Sequence, residues 1–124
     1  MERDIGDIID RGAIAQLKHE RIGNDENNKE YKAFKREIDL AIAQYSDIPI
    51  SKFFDLLVKI NAMIWDLESD LRKGKLDGAL SEVGRRAIEI REHNNLRVQV
   101  KNIVNMLTCT GFIDIKHDHI SETN

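Results

Sequence analysis

An apolar residue recurs every three or four positions between residues 53 and 71, and this pattern constrains the fold more than any other feature of the sequence. The stripe consists of Phe53, Leu57, Ile60, Ile64, Leu67 and Leu71. Steps that alternate between four and three place these side chains on one face of an α-helix. A half-buried strand would instead need an apolar residue at every second position. The sequence therefore predicts a long amphipathic helix that buries one face against other elements.

Apolar spacing and chain-breaking residues predict two further helices before this one. The first covers about residues 7–22, with Asp7 as its N-cap and Gly23 as its stop. A polar loop follows, and then a second helix over about residues 28–45. The second helix ends before Pro49, the only proline, because a residue that precedes proline disfavours the helical conformation.

The remainder of the chain predicts one more helix. Gly74 closes the third helix, and a fourth begins near Leu76 or Asp77 and runs to about Thr108. Gly111 then releases the end of the chain.

Four helices joined by short loops predict an all-α fold, an antiparallel helical bundle in which the long third and fourth helices form the central hairpin. The single domain is expected to span residues 1–111, and residues 112–124 are expected to form a partly extended or disordered tail. Sustained heptad-like spacing can leave an apolar face unshared, so we expect a homo-oligomer, with a homodimer as its simplest form.

Charge and composition exclude several classes of partner. The formal net charge is −3, whereas a general nucleic-acid binder needs a basic excess to neutralise many phosphates. A small anionic ligand needs only a few well-placed cations. The single cysteine, Cys109, cannot form an intramolecular disulfide. No apolar run approaches the roughly 20 residues of a membrane span, and the first ten residues do not resemble a signal peptide. These features predict a cytoplasmic protein with no membrane contact.

The predicted fourth helix departs from a simple apolar face in its second half. Four apolar residues form a stripe along its first half: Leu80, Val83, Ala87 and Ile90. The same steps then reach Asn94, Arg97 and Lys101, which lie within about 40° of Ile90 around the axis. The apolar residues of the second half lie roughly 100° away: Leu96, Val100, Ile103 and Leu107. Either the helix breaks at His93-Asn94-Asn95, or polar side chains point toward the bundle.

The first and third predicted helices also carry polar residues at or beside their buried faces. On the first helix, Asp10 and Arg21 share the face of Ile14 and Leu17, and Lys18 lies next to them. On the third helix a second stripe, with steps of four, three and four, flanks the apolar one: Asn61, Trp65, Glu68 and Arg72.

Each of these residues has an ordinary structural explanation when it is considered alone. Charged side chains often pair across a bundle and bury only their methylenes. Glu68 and Arg72 form an i,i+4 pair of the kind that contributes a few tenths of a kcal/mol. Trp65 is of a type that most often fills a core while its indole N–H donates to a carbonyl.

Together, however, the residues describe a nucleotide-sized pocket. Buried charges cost several kcal/mol unless they are compensated, so stability alone does not favour collecting them. The nearby acids are Asp10, Asp66 and Glu68. They are outnumbered by five cationic residues, an excess that suits an anion such as phosphate: Lys18, Arg21, Arg72, Arg97 and Lys101. Asparagine amides and a tryptophan ring can bind a base or a sugar. The predicted ligand-binding residues are Lys18, Arg21, Asn61, Trp65, Glu68, Arg72, Asn94, Arg97 and Lys101.

At these same positions the sequence resembles an uncharacterised family of small helical proteins from bacteria and their phages, often found near surface-polysaccharide genes. Three stretches carry the likeness: Ile5–Arg11 with Lys18–Ile22, Ile60–Arg72, and Asn94–Arg97 with Val100-Lys101 and Ile103–Asn105. The likeness spans most of the chain, and the Trp65-Asp66-Leu67-Glu68 stretch is fairly specific.

The sequence departs from the family pattern at two places. Asn94-Asn95 stands where the family has Asn-Asp, and Arg11 stands where the family usually has lysine. These changes alter local charge but not the general character. The resemblance implies no particular activity, because the family is uncharacterised. It does imply that the shared polar residues belong to one site.

The sequence has no recognisable catalytic motif. It lacks a phosphate-binding glycine loop, His-Glu-x-x-His, paired Cys-x-x-Cys and Gly-x-Ser-x-Gly. We therefore predict no catalytic residue, no metal site and no cofactor. An enzyme would need a base, for which Asp10, Asp66 and Glu68 are the candidates. His117-Asp118-His119 offers metal-ligand side chains, but its place in a polar tail favours a solvated segment over a metal site.

Two hypotheses of function follow. The first is non-catalytic binding of a nucleotide or another phosphorylated small molecule between helices, which in a phage would sequester a host defence signal. Lys18, Arg21, Arg97 and Lys101 would hold phosphates, Trp65 would stack, and Asn61 and Asn94 would orient the ligand. The alternative is a helical interaction or assembly module linked to surface-polysaccharide synthesis, in which the polar rows are salt bridges that fix register.

Overall fold

Four α-helices make up the secondary structure of residues 4–72 and 80–111, the part of the chain that the computed structural model describes. They are α1 (Ile5–Arg21), α2 (Asp25–Gln44), α3 (Ile50–Arg72) and α4 (Leu80–Thr108). α1 packs against each of the other three helices, and α3 and α4 form a second extensive pair. This arrangement confirms the predicted all-α bundle with long third and fourth helices.

The first two helices begin earlier than predicted. Asp4, not Asp7, caps α1, because Asp4 Oδ1 accepts a hydrogen bond from the Asp7 amide at 2.8 Å. Asn24 caps α2 in the same way, through a 2.9 Å bond from the Asn27 amide. Several short polar residues stand close together at each start, and each offers the same capping oxygen. Gly23, with a φ of 75°, ends α1 as the sequence predicted.

The hydrophobic core lies between the four helices and is almost entirely aliphatic. α1 and α3 contribute most of its fully buried side chains, with smaller contributions from α2 and α4. The core consists of Ile5, Ile9, Ala13, Ile38, Ala41, Ile50, Leu57, Ile60, Ile64, Val100 and Val104. The apolar stripe of α3 thus faces the bundle as its spacing indicated, with Phe53 packed at the edge of the core.

Close packing between α1 and α4 depends on a glycine. A Cβ atom on Gly6 would lie 2.5 Å from the Lys101 carbonyl oxygen and 2.8 Å from Asn105 Oδ1. The Gly6 amide donates to Asn105 Oδ1 at 2.7 Å, and the Ile5 amide donates to Thr110 Oγ1 at 3.1 Å. The beginning of α1 is therefore tied to the end of α4.

α4 continues without a break through Asn94-Asn95, which decides between the two alternatives left open by the sequence. Arg97 and Lys101 are only about a quarter exposed, and Asn105, one step of four further, is buried. The polar stripe of α4 faces α1.

The two apolar stripes predicted on α4 are only partly covered by the other helices. In the first half, Leu80 is 84% exposed and Ala87 is also exposed, whereas Val83 and Ile90 are partly buried and Ile90 packs against the core. In the second half, Val100 is buried in the core, but Leu96, Ile103 and Leu107 remain 43–48% exposed. A helix cannot turn two faces that lie roughly 100° apart fully into one narrow interface, and here the polar face has the inner position.

Some predictions fall on residues that are not described. These are the helix stop at Gly74, the helix start at Leu76 or Asp77, and the tail 112–124 with His117-Asp118-His119. Within the described ranges, none of the helices has the length and apolar character needed to cross a membrane.

Gly6→Ala tests the α1–α4 contact. Because the added methyl meets backbone, which cannot rotate away, we expect a loss of about 1–3 kcal/mol in the free energy of unfolding. Gly84→Ala is the matched control, since nothing lies within 4 Å of its added Cβ; this variant should gain about 0.5–1 kcal/mol from helix propensity. Urea denaturation followed by circular dichroism measures both. Equal stabilisation of the two variants would contradict the close approach.

Candidate functional site

A buried carboxylate organises the polar groups between α1, α3 and α4. The side chain of Asp10 on α1 is only 5% exposed. Its Oδ1 accepts a 3.0 Å hydrogen bond from Asn61 Nδ2 on α3, and Asn61 Nδ2 also donates to the Leu57 carbonyl at 2.9 Å. Asn61 is thereby fixed in rotation, so its Oδ1 is left to accept a hydrogen bond from α4.

Two cations of α4 face the remaining oxygen of Asp10. Arg97 Nε lies 3.9 Å and Lys101 Nζ lies 3.8 Å from Asp10 Oδ2. Arg97 Nη1 donates to Asn61 Oδ1 at 3.4 Å, and Lys101 Nζ lies 3.5 Å from Asp7 Oδ1. We call Asp7, Asp10, Asn61, Arg97 and Lys101 the polar network. Charges buried in this way need compensation, which the two carboxylates supply to the two cations.

A cavity of about 430 Å³ opens beside the polar network, between α1, α3 and α4. Its size lies within the range of about 300–1,000 Å³ that is typical of small-molecule sites. Three aliphatic residues, one aromatic residue and five polar or charged residues line this main cavity: Ile14, Leu17, Ile64, Trp65, Asn61, Glu68, Arg72, Asn94 and Arg97. An apolar wall with a few converging polar groups is the usual composition of such a site.

The structure brings six of the nine predicted ligand-binding residues to the main cavity: Asn61, Trp65, Glu68, Arg72, Asn94 and Arg97. The other three lie elsewhere. Lys18 lines a smaller groove and is 4.0 Å from Glu30 Oε1. Lys101 is held by Asp7 and Asp10. Arg21 reaches Asp66, with Nη1 2.7 Å from Oδ1, and its guanidinium carbon lies 5.4 Å from the centre of the Trp65 ring.

The predicted cluster of five cations is therefore dispersed, because helical spacing fixes the face of a side chain but not the acid that it meets across the bundle. Two guanidinium groups, Arg72 and Arg97, line the main cavity together with one carboxylate, Glu68. Arg72 Nη1 is 4.0 Å from Glu68 Oε1, and 64% of the Arg72 side chain is exposed. Arg72 is thus weakly held and accessible, whereas Arg97 is a fixed wall of the cavity.

Arg97 has hydrogen-bonding capacity left over. Its Nε atom is buried, and it has no hydrogen-bond partner within the described part of the chain. Because this buried Nε faces Asp10 Oδ2 at 3.9 Å, charge attraction holds it in place of a hydrogen bond, and the missing hydrogen bond costs free energy.

Three residues that support the site were not among the predicted ligand-binding residues, although all three stand in the stretches that carry the family resemblance. Asp7 was taken as a helix cap but binds Lys101 and also Arg11, whose Nε lies 2.8 Å from Asp7 Oδ2. Asn105 and Gly6 form the hydrogen bond that joins α4 to α1. A signal for Asn105 was present, since one more step of four along the polar stripe of α4 leads from Lys101 to this residue.

The ion pairs at the start of α4 lie apart from the main cavity. Arg85 donates to Glu82, and this hydrogen bond holds the pKa of Glu82 below its usual value and raises the pKa of Arg85. Arg85 Nη1 also lies 3.3 Å from Glu89 Oε1. Pairs that reach solvent in this way contribute little to stability.

Comparisons with protein-family models, with curated proteins and with solved structures found no match to this chain. Inferences about its function therefore rest on the main cavity and the residues around it.

Asp10→Asn tests the polar network while nearly preserving side-chain shape. Removing the carboxylate leaves Arg97 and Lys101 facing each other with reduced compensation. We expect the free energy of unfolding to fall by about 3 kcal/mol, near the low end for a buried pair because both cations reach solvent. Asp39→Asn is the control, since Asp39 forms an exposed i,i+4 pair with Lys35 and should change stability by less than about 0.5 kcal/mol. Urea denaturation measures the free energy of unfolding of both variants. Similar small decreases in the two would show that the Asp10 carboxylate does not stabilise the polar network.

Proposed function

We propose that the protein is a non-catalytic binding protein that holds a nucleotide-like or other phosphorylated small molecule in the main cavity. The observation that carries this proposal is the presence of Trp65, Arg72 and Arg97 around one opening of about 430 Å³. A planar group and an anion on one ligand are the chemical partners of such a set.

Trp65 is the group that would contact a base. Its ring lines the cavity, and the guanidinium of Arg21 lies close enough for a cation–π interaction. Because Asp66 binds the same guanidinium, the Arg21 contact is fixed from two directions. A ring that is held in place loses little conformational freedom when a ligand stacks on it.

Arg72 and Arg97 are the groups that would contact a phosphate. Arginine presents several N–H donors in a planar fork, which matches phosphate oxygens, and its charge persists at every physiological pH. Arg97 lines the cavity while its Nε faces Asp10, and Arg72 is 64% exposed, with Glu68 Oε1 at 4.0 Å as its ion-pair partner among the described residues. The lining thus carries a net positive charge even though the whole chain is acidic.

The asparagines would orient the ligand. Asn94 Nδ2 donates to the Ile90 carbonyl at 3.1 Å, so its Oδ1 can accept a hydrogen bond from a base or sugar. Among the lining residues, Glu68 is the one carboxylate, and it faces Arg72, which favours binding over acid–base chemistry. Sequestration of a host defence signal during phage infection would be one use of such a site, and this extension rests on the family resemblance alone.

Ligand binding should stabilise the fold and change the fluorescence of Trp65, the sole tryptophan of the chain. We would screen nucleoside mono-, di- and triphosphates, cyclic nucleotides, ADP-ribose and sugar nucleotides by thermal shift. A true ligand at one hundred times its Kd should add about 2.7 kcal/mol of stability. Titration of the hits, followed by Trp65 emission, gives the affinity.

Arg72→Gln should weaken binding of the best hit at least tenfold, about 1.4 kcal/mol, because one charge-assisted contact is lost without disturbing the core. Arg36→Gln is the matched control, since it removes one exposed arginine from α2, outside the cavity, and changes net charge equally. An equal loss in both variants would indicate general charge attraction. The absence of any shift across the whole panel would refute the proposal.

A second candidate function, favoured by the outer face of α4, is self-assembly as part of an interaction module. Leu96, Ile103 and Leu107 form a half-exposed stripe, and Lys101, the one charged residue from Val98 to Gly111, is turned inward to Asp7 and Asp10. An uncharged apolar stripe is best covered by another of the same kind. A second copy of the chain supplies such a stripe when the same face of α4 from both copies meets in an isologous contact.

Ile103→Lys tests this second candidate by placing a charge in the stripe. If the protein is a dimer through α4, the variant should be monomeric in size-exclusion chromatography with light scattering, at unchanged helix content. Leu40→Lys is the control, because Leu40 is an exposed apolar residue of α2, outside the stripe. A monomeric parent protein at high micromolar concentration would eliminate the candidate.

A further inference from the structure

A second, smaller concavity adjoins the main cavity on the other side of Ile14. It has a volume of about 150 Å³ and lies between α1 and α2. Its lining residues are Arg11, Ile14, Lys18, Glu30 and Phe34, and we call it the α1–α2 groove. Ile14 lines both spaces, so it forms a ridge between them, and its side chain is partly exposed.

The α1–α2 groove has the chemistry of an anion site. Arg11 and Lys18 are seven residues apart on α1, so both lie on the same face as Ile14, about 10 Å apart along the helix. Arg11 binds Asp7 through Nε, which leaves both terminal nitrogens able to donate. The Lys18 ammonium is only weakly engaged, 4.0 Å from Glu30, and 41% of its side chain is exposed.

The size of the groove decides how it can be used. A volume of about 150 Å³ is well below the roughly 300 Å³ at which independent small-molecule sites begin. It suffices for one phosphoryl or sugar group of a ligand that is anchored elsewhere. Ile14 lines both this groove and the main cavity, so the main cavity is the neighbouring site in which such a ligand can be anchored.

We infer that the ligand has two parts and is of the dinucleotide class, an inference that rests on the proposed function. One nucleotide unit lies in the main cavity against Trp65, Arg72 and Arg97. The chain of the ligand then crosses Ile14, and a second anionic group binds Arg11 and Lys18 in the α1–α2 groove. Lys18 does not line the main cavity, but in this arrangement it contacts the second anionic group of the ligand in the α1–α2 groove.

The test compares short and long ligands that carry the same base. The probes are AMP, GMP, CMP and UMP and the matching linear dinucleotides pApA, pGpG, pCpC and pUpU, titrated by calorimetry. For the preferred base, the dinucleotide should bind at least tenfold more tightly than the mononucleotide. Lys18→Gln and Arg11→Gln should each weaken dinucleotide binding at least fivefold and change mononucleotide binding less than twofold.

Lys35→Gln is the matched control, because Lys35 is an exposed cation of α2 whose i,i+4 partner is Asp39, much as Asp7 is the partner of Arg11. It should change neither affinity. Equal affinities for the short and long probes, or equal losses for both probes in Lys18→Gln, would overturn the two-part ligand while leaving the main cavity as the binding site. If no probe of either length binds and the wider thermal-shift panel is also negative, the proposed function fails and this inference fails with it.

Discussion

Three polar side chains between α1, α3 and α4 converge on the buried carboxylate of Asp10. One oxygen fixes the amide of Asn61, and the other faces Arg97 and Lys101. Without this anion, the inner face of α4 would bring cations against α1 with only Asp7 to compensate them. An aliphatic interface would give similar stability without this requirement. The arrangement instead places the Arg97 guanidinium at the wall of the main cavity.

The fold was predictable because it follows from helical periodicity, and the spacing of apolar residues along the chain shows that periodicity directly. The stripe of α3 and the stops at Gly23 and before Pro49 were sufficient to define helices and their order. The polar stripe of α4 was also visible as Asn94, Arg97 and Lys101. Whether α4 breaks there could not be predicted, because the answer depends on acids on another helix that face this stripe.

The membership of the site was harder to predict than the helices. Asn61, Trp65, Glu68 and Arg72 share one edge of α3, so a single helix fixes their proximity, and all four line the main cavity. Lys18, Arg21 and Lys101 depend on distances between helices, and each is closest to a carboxylate that spacing cannot reveal. Charge on one helical face is therefore a good guide to location and a poor guide to partners.

The hydrogen bonds between the start of α1 and the end of α4 have a consequence for folding during synthesis. Ile5 and Gly6 are bonded to residues about one hundred positions later, Thr110 and Asn105. α1 also packs against all three other helices, so the core cannot close around it until α4 has left the ribosome. α1 and α2 can pair early, but their exposed apolar surface must wait for the last turns of α4. Closure of the bundle thus depends on residues at the end of α4, and a ribosome that stalls before Asn105 would leave an unfinished bundle open to chaperones and proteases.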